Sequence, residues 1–192
     1  MNFTLFYPGE IRSGNKNNAR HIDEIRRAIS PQMERLYSLE PLTAGGVICE
    51  PSGDSEKDKN MCCCFTNVGG RNFSCLVSKW MRTACKLHIT YYESEGSLSV
   101  ANSLVDIDNK TKTLFDALAL PLESQIASLD PCKGRTHCLC QDDSLVWEAK
   151  IGRLRLLDKN LFNATSFTQI EVEIIPTQLT ISNIGFFGVP VF

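Results

Sequence analysis

Apolar and polar positions alternate over NFTLFY, residues 2 to 7, which predicts a strand ending at Pro8-Gly9. A polar loop over 9–20 follows and carries Arg12, Lys16 and Arg20. From His21 to Leu39 the period lengthens: Ile22, Ile25, Ile29, Met33 and Leu36 recur every three or four residues, the signature of a helix. Pro31 is expected to kink or split it. PLTAGG and PSGDSEKDK make 40–58 a loop, and MCCCFTNVGGRNFSCLVS predicts a hairpin turning at Gly69-Gly70. ACKLHITYYES then alternates, with Leu87, Ile89 and Tyr91 on one face and His88, Thr90 and Tyr92 on the other. A second helix is expected from Asp108 to Leu120, ended by Pro121. After a loop over 121–137 with room for one helical turn, SLVWEAKIGRLRLL and FTQIEVEIIP supply two more strands.

No repeat and no linker interrupts this order. The expectation is one domain over 1–192, of mixed α/β (α+β) class, with a mixed sheet flanked by helices. Segments 40–60 and 121–141 are its loop elaborations. The apolar tail 177–192 suits docking on the core or on a second subunit.

Composition narrows the class. Hydrophobic residues make up 43% and charged residues 22% of the 192, the balance of an ordinary globular protein. No apolar run is long enough to cross a bilayer, and Pro8 and Glu10 come too early for a signal-peptide core, so a cytoplasmic location is expected. Nine cysteines, three of them adjacent at 62 to 64, then read as free thiols in a reducing compartment. The net charge of −2 excludes a strongly basic nucleic-acid binder, but the charges are segregated. No acid occurs from Lys59 to Tyr92, where Lys59, Arg71, Lys79, Arg82 and Lys86 fall.

Acids gather instead around VDIDNKTKTLFDAL, residues 105 to 118. Asp106 and Asp108 are separated by Ile107, and an extended segment there would project both carboxylates to one side. Asn109, Lys112 and Asp116 continue that polar side along the helix, opposite Leu114, Phe115 and Leu118. A second acidic pair, Asp142-Asp143, opens the strand that follows. Carboxylates converging this way would bind hard divalent cations such as Mg²⁺ or Mn²⁺. Two such ions about 3.5–4 Å apart clamp the attacking and leaving oxygens of a phosphodiester. Lys112 would offset charge developing on the phosphate. The structural alternative is that the acids cap the helix and favour its dipole.

DIDNKTKTLFDAL followed by QDDSLV resembles the RusA family of Holliday-junction resolvases, in which a D-x-D-N-x-x-K-x-x-x-D-A-L segment precedes a D-D pair at the start of a strand. Asp106, Asp108, Asn109, Lys112, Asp116, Ala117 and Leu118 match in register, and Asp142-Asp143 follow. The resemblance implies a homodimeric, Mg²⁺-dependent endonuclease of mixed α/β fold that cleaves branched DNA. It puts the metal-binding carboxylates on Asp106, Asp108 and Asp143 and the catalytic lysine on Lys112, with Asn109, Asp116 and Asp142 in support. An accessory protein that keeps the fold and binds DNA without efficient cleavage is the alternative.

Contacts to DNA are expected from the basic, aromatic-interleaved stretch RNFSCLVSKWMRTACK, through Arg71, Lys79 and Arg82, with Phe73 or Trp80 stacking. Arg12, Lys16, Arg20, Arg153 and Arg155 are further candidates. Cys132, His137, Cys138 and Cys140 lack the paired two-residue gaps of a zinc site, so Cys138 and Cys140 read as strand positions leading into Asp142. His21 and His88 stand in no nucleophile signature, and Gly45-Gly46 and Gly69-Gly70 read as turns.

Overall fold

The computed structural model describes residues 1–12, 18–43, 64–93, 103–127, 129, 134–157, 166–180 and 183–187. The expected class holds: the chain is mixed α+β. Its strands, however, form two mixed sheets rather than one. Strands β1 (Asn2–Tyr7), β4 (Thr83–Glu93), β6 (Val146–Arg155) and β7 (Ser166–Pro176) make a four-stranded sheet in the order β1-β7-β4-β6. Both pairings of β7, with β1 and with β4, are antiparallel, and β4 and β6 run parallel. Strands β2 (Cys64–Val68), β3 (Arg71–Val77) and β5 (Arg135–Cys140) make the second sheet, with β2-β3 antiparallel and β3-β5 parallel.

Local rules account for most of these elements. Gly69 and Gly70 both take positive φ (54° and 78°), as the tight two-residue turn of the β2-β3 hairpin requires. Leu87, Ile89 and Tyr91 of β4 are buried, facing Val172, Ile170 and Thr168 of β7. Helix α1 (Asn18–Tyr37) buries Ile22, Ile25, Ile29 and Met33 between the two sheets. Complete burial of each such side chain contributes about 1.5–3 kcal/mol. This stripe outweighs Pro31, which the helix contains without being split there and which lies on its solvent side.

Helix α2 runs from Ser103 to Leu118, starting five positions earlier than Asp108. Apolar positions Leu104, Ile107, Leu114 and Leu118 continue its stripe backwards, and Asp106-Ile107-Asp108 is therefore helical rather than extended. Helix α3 (Glu123–Ile126) is the single turn within the 121–137 connection, and its Ile126 packs with Phe73, Cys75 and Cys138 in a second, smaller core cluster. In the tail, Asn183 is buried and a 3₁₀ turn over Ile184–Phe187 docks Phe187 on the main core. Cys62 and Cys63, together with most of the 40–60 loop, lie outside the described residues.

A buried ion cluster ties α2 to the large sheet. Glu93, at the end of β4, accepts from Lys110 Nζ (2.8 Å) and from Arg153 Nε (2.6 Å). Burial alone would raise its carboxyl, but the hydrogen bonds and charges of Lys110 and Arg153 outweigh that and hold it below the usual glutamate range. A depressed acid stabilises the fold above its unfolded pKa, and that contribution is lost as pH falls through the folded value. Urea unfolding of Glu93→Gln against wild type should show a deficit of about 1.5–3 kcal/mol near neutral pH. The deficit should close below about pH 4, and a gap independent of pH would refute the ionic origin.

Candidate metal centre

Three elements meet beside the acidic pair. The last turn of α2 is stapled to the end of β5 by a bridge between Ala119 and Cys140, with Leu120 N–H donating to the Cys140 carbonyl (3.0 Å). Gln141 N–H donates to the Val77 carbonyl (2.8 Å), and Gln141 Oε1 accepts from Lys79 N–H (3.1 Å). The acidic pair thus emerges between the C-terminal end of α2 and the turn over 78–82. Arg26 reaches across from α1 and donates to the Asp116 carbonyl (2.7 Å) and the Ala119 carbonyl (3.4 Å), capping the negative end of α2 with a buried cation.

Asp142 and Asp143 do not open a strand directly. Asp142 caps a 3₁₀ turn (Asp143–Leu145), accepting from Ser144 N–H (2.9 Å), and β6 follows. Those bonds from Ser144 hold the Asp142 carboxyl below its usual range, helped by the charge of Lys79. Its oxygens serve the turn. Asp143 is exposed, on a 3₁₀ turn that packs near α2, and its charge is felt at Asp116. Burial chiefly, and then the charge of Asp143, push the Asp116 carboxyl up, while Arg26 pulls it down.

On α2, Asp108, Lys112 and Asp116 are spaced at four-residue intervals and so share one face. Lys112 Nζ lies 2.8 Å from Asp108 Oδ2, both side chains about two-thirds exposed (69% and 67%). Asn109 is exposed beside them. Positions 106 and 108 are two apart on a helix, hence about 200° apart around its axis, so they do not share a side as an extended segment would allow. The Asp106 side chain lies outside the described residues. Asp108 and Asp116 are two helical turns apart, on the order of 12 Å along the axis. The carboxylate brought to Asp143 is therefore Asp116. Among the described residues, no group of three or more His, Cys, Asp or Glu is placed to hold a metal.

Asp116 and Asp143 carry carboxylate oxygens, the donor type a hard divalent cation takes, and the charge of Asp143 adds to burial in raising the Asp116 carboxyl. Sequence spacing pointed to Asp106 and Asp108 and gave Asp116 a supporting place. The signal that could have promoted it was its position one turn before Pro121, where α2 must end beside the returning chain.

The basic candidates divide. Lys79 and Arg82 are exposed on the turn over 78–82, where Trp80 is also exposed (51%), and Arg82 donates to Gln178. Arg12 and Arg20 are exposed near the start of α1, and Lys16 lies outside the described residues. Arg71 is not available to DNA. Only 4% exposed, it donates to Asp23 Oδ1 (3.0 Å) and lies over the ring of Phe73. Phe73 is itself core, so it cannot stack on a base, and Arg153 is held in the Glu93 cluster, whereas Arg155 is exposed. His137 donates or accepts within the interior, at 2.7 Å from Ser74 Oγ, and Cys75, Cys85, Cys138 and Cys140 are buried thiols in no disulfide. No protein-family model, curated protein or solved structure matches the chain.

Proposed function

We propose that the chain is a Mg²⁺- or Mn²⁺-dependent, structure-specific endonuclease that cleaves branched DNA such as a Holliday junction, working as a homodimer. The observation that supports this reading is that the turn bearing Asp143 packs near α2, where its charge reaches Asp116, with Lys112 on the same helix face as Asp116. The resemblance of DIDNKTKTLFDAL and QDDSLV to the RusA resolvases supplies the substrate class. A divalent ion, when bound, supplies Lewis acidity toward the scissile phosphodiester. Asp116 and Asp143 would hold it, with Asp108 and Asp106 further along α2. Asp108 fixes the Lys112 ammonium, which would neutralise charge building on the phosphate. Lys79 and the exposed Trp80, beside the acidic pair, would meet the backbone and an unstacked base near the branch.

No helix among the described residues is long and apolar enough to cross a membrane. The four buried cysteines outside any disulfide support a reducing compartment, and we place the activity in the cytoplasm.

The test is a synthetic four-way junction incubated with the protein in Mg²⁺ or Mn²⁺. Wild type should cleave, Asp143→Asn should not, and a chelator should abolish the reaction. A thermal melt gives an independent readout. Because the Asp116 carboxyl is pushed up in the fold, its ionisation opposes stability above that value, and Asp143→Asn should leave the metal-free melting point unchanged or about 1–2 °C higher. The cation-induced rise seen in wild type should disappear in the variant. Cleavage that persists in Asp143→Asn would remove the site. A specific observation favours the accessory reading as second choice: Lys112 is already neutralised by Asp108. Junction binding without turnover in any divalent cation would decide for it.

A further inference from the structure

Strand β6 forms one edge of the large sheet, and among the described residues no strand pairs with its outer side. Its sequence is unlike a protected edge. Ile151 continues a row of aliphatic side chains, Leu5, Ile170, Ile89, Ile151, across all four strands. The first three are buried, whereas Ile151 is 43% exposed and the neighbouring Trp147 is 59% exposed. An exposed edge carrying such residues is a template for pairing with another chain.

We infer that β6 pairs antiparallel with β6 of a second copy about a two-fold axis at Ala149, joining the two large sheets. The order Trp147-Glu148-Ala149-Lys150-Ile151 is self-complementary about its centre: apolar, acidic, small, basic, apolar. Antiparallel pairing on that axis sets Glu148 opposite the partner's Lys150 and Trp147 opposite the partner's Ile151, twice by symmetry. Neighbouring registers fail. A centre at Glu148 or Lys150 sets like charges face to face on the axis, and a shift by half a step puts Ile151 on the polar side.

The outer face of the sheet gives a second, independent match. Lys86 is flanked there by Glu173 (4.0 Å) and Glu148 (3.7 Å), and His88 by Glu171 (3.3 Å). Along the first row, charge runs acidic, basic, acidic through Glu173, Lys86 and Glu148. The partner's Lys150 would come next, so the alternation continues across the axis. A lone lysine on an edge strand deters pairing. Here Lys150 already lies 3.4 Å from Glu148 of its own chain, and in this register each of the two also meets its opposite charge on the second copy. The inference supplies an interface for the homodimer of the nuclease reading and rests on it to that extent, but no residue of the metal centre enters it, so loss of the dimer and loss of cleavage are read separately.

Sedimentation velocity and light scattering test it on the full chain. Wild type should be a dimer. Lys150→Glu and Glu148→Lys should each raise the dissociation constant about tenfold or more, since each reversal turns two attractive cross-strand pairs repulsive. The double swap, Glu148→Lys with Lys150→Glu, should restore the dimer. Circular dichroism spectra of all three variants at low temperature should match wild type, which shows that each still folds. In parallel, Ala149→Cys should form an interchain disulfide under mild oxidation, seen on a non-reducing gel, where wild type forms none. Wild type that is monomeric at all concentrations would overturn the inference. So would a dimer indifferent to both single reversals, or a double swap that stays monomeric.

Discussion

Asp23→Ala is expected to lower stability by about 3–5 kcal/mol, the usual cost of leaving buried charges without their counterion. Three arginines converge on this one carboxylate. Arg71 Nη2 donates to it at 3.0 Å, Arg27 Nε at 2.8 Å, and Arg26 Nη1 lies 3.6 Å away. Arg26 and Arg71 are both almost fully buried, and Arg26 Nε, Arg71 Nε and Arg71 Nη1 have no hydrogen-bond partner among the described residues. Arg26 also spends donors on the end of α2, but Arg71 has no other acidic partner among the described ion pairs. At about 2–4 °C per kcal/mol for a chain of this size, the melting midpoint should fall by about 6–20 °C. Asp23→Asn should recover only part of the loss, because it restores an acceptor but not the charge. A fall of less than about 1 kcal/mol, read from urea unfolding, would mean that the arginines do not depend on Asp23.

Lys112→Met separates function from stability. The Lys112–Asp108 pair is solvent-exposed, and such pairs contribute about 0–1 kcal/mol, so the melting point should move by no more than about 2–4 °C. Cleavage of a four-way junction should nevertheless fall by about 10²–10³-fold, as when a single electrostatic stabiliser of a transition state is removed. Junction affinity, measured without divalent ions, should change far less. Lys112→Arg should keep part of the activity. Turnover within threefold of wild type would leave Lys112 as a partner of Asp108 and nothing more.

How far these features were legible depended on how local their causes are. The turn at Gly69-Gly70 and the alternation of Leu87, Ile89 and Tyr91 depend on neighbouring residues, and both appear where the pattern puts them. The start of α2 was obscured because Asp106 and Asp108 mimic a helix cap, although the apolar spacing runs back to Leu104. The division into two sheets depends on partners distant in sequence, such as Cys75 with Cys138, which no local pattern encodes. Arg71 looked like a surface cation because its counterion, Asp23, lies on a different element. Around the candidate centre, the polar face with Asp108, Asn109, Lys112 and Asp116 follows from helical periodicity. Which carboxylate meets Asp143 does not, because the Ala119–Cys140 bridge decides it.

The pairing of β1 with β7 has a consequence for how the chain is made. Asn2 lies opposite Glu173 and Tyr7 opposite Thr168, so the first strand synthesised finds its partner only when almost the whole of the described chain has emerged. At about 5–20 residues per second on the ribosome, that wait is on the order of 10–30 s. β4 must wait as well, because β6 and β7, on its two sides, both follow it. During that interval Leu5, Leu87 and Ile89 have no sheet to join, whereas the β2-β3 hairpin and α1 can form early. A ribosome stalled before β6 should therefore expose β1 and β4 to protease together.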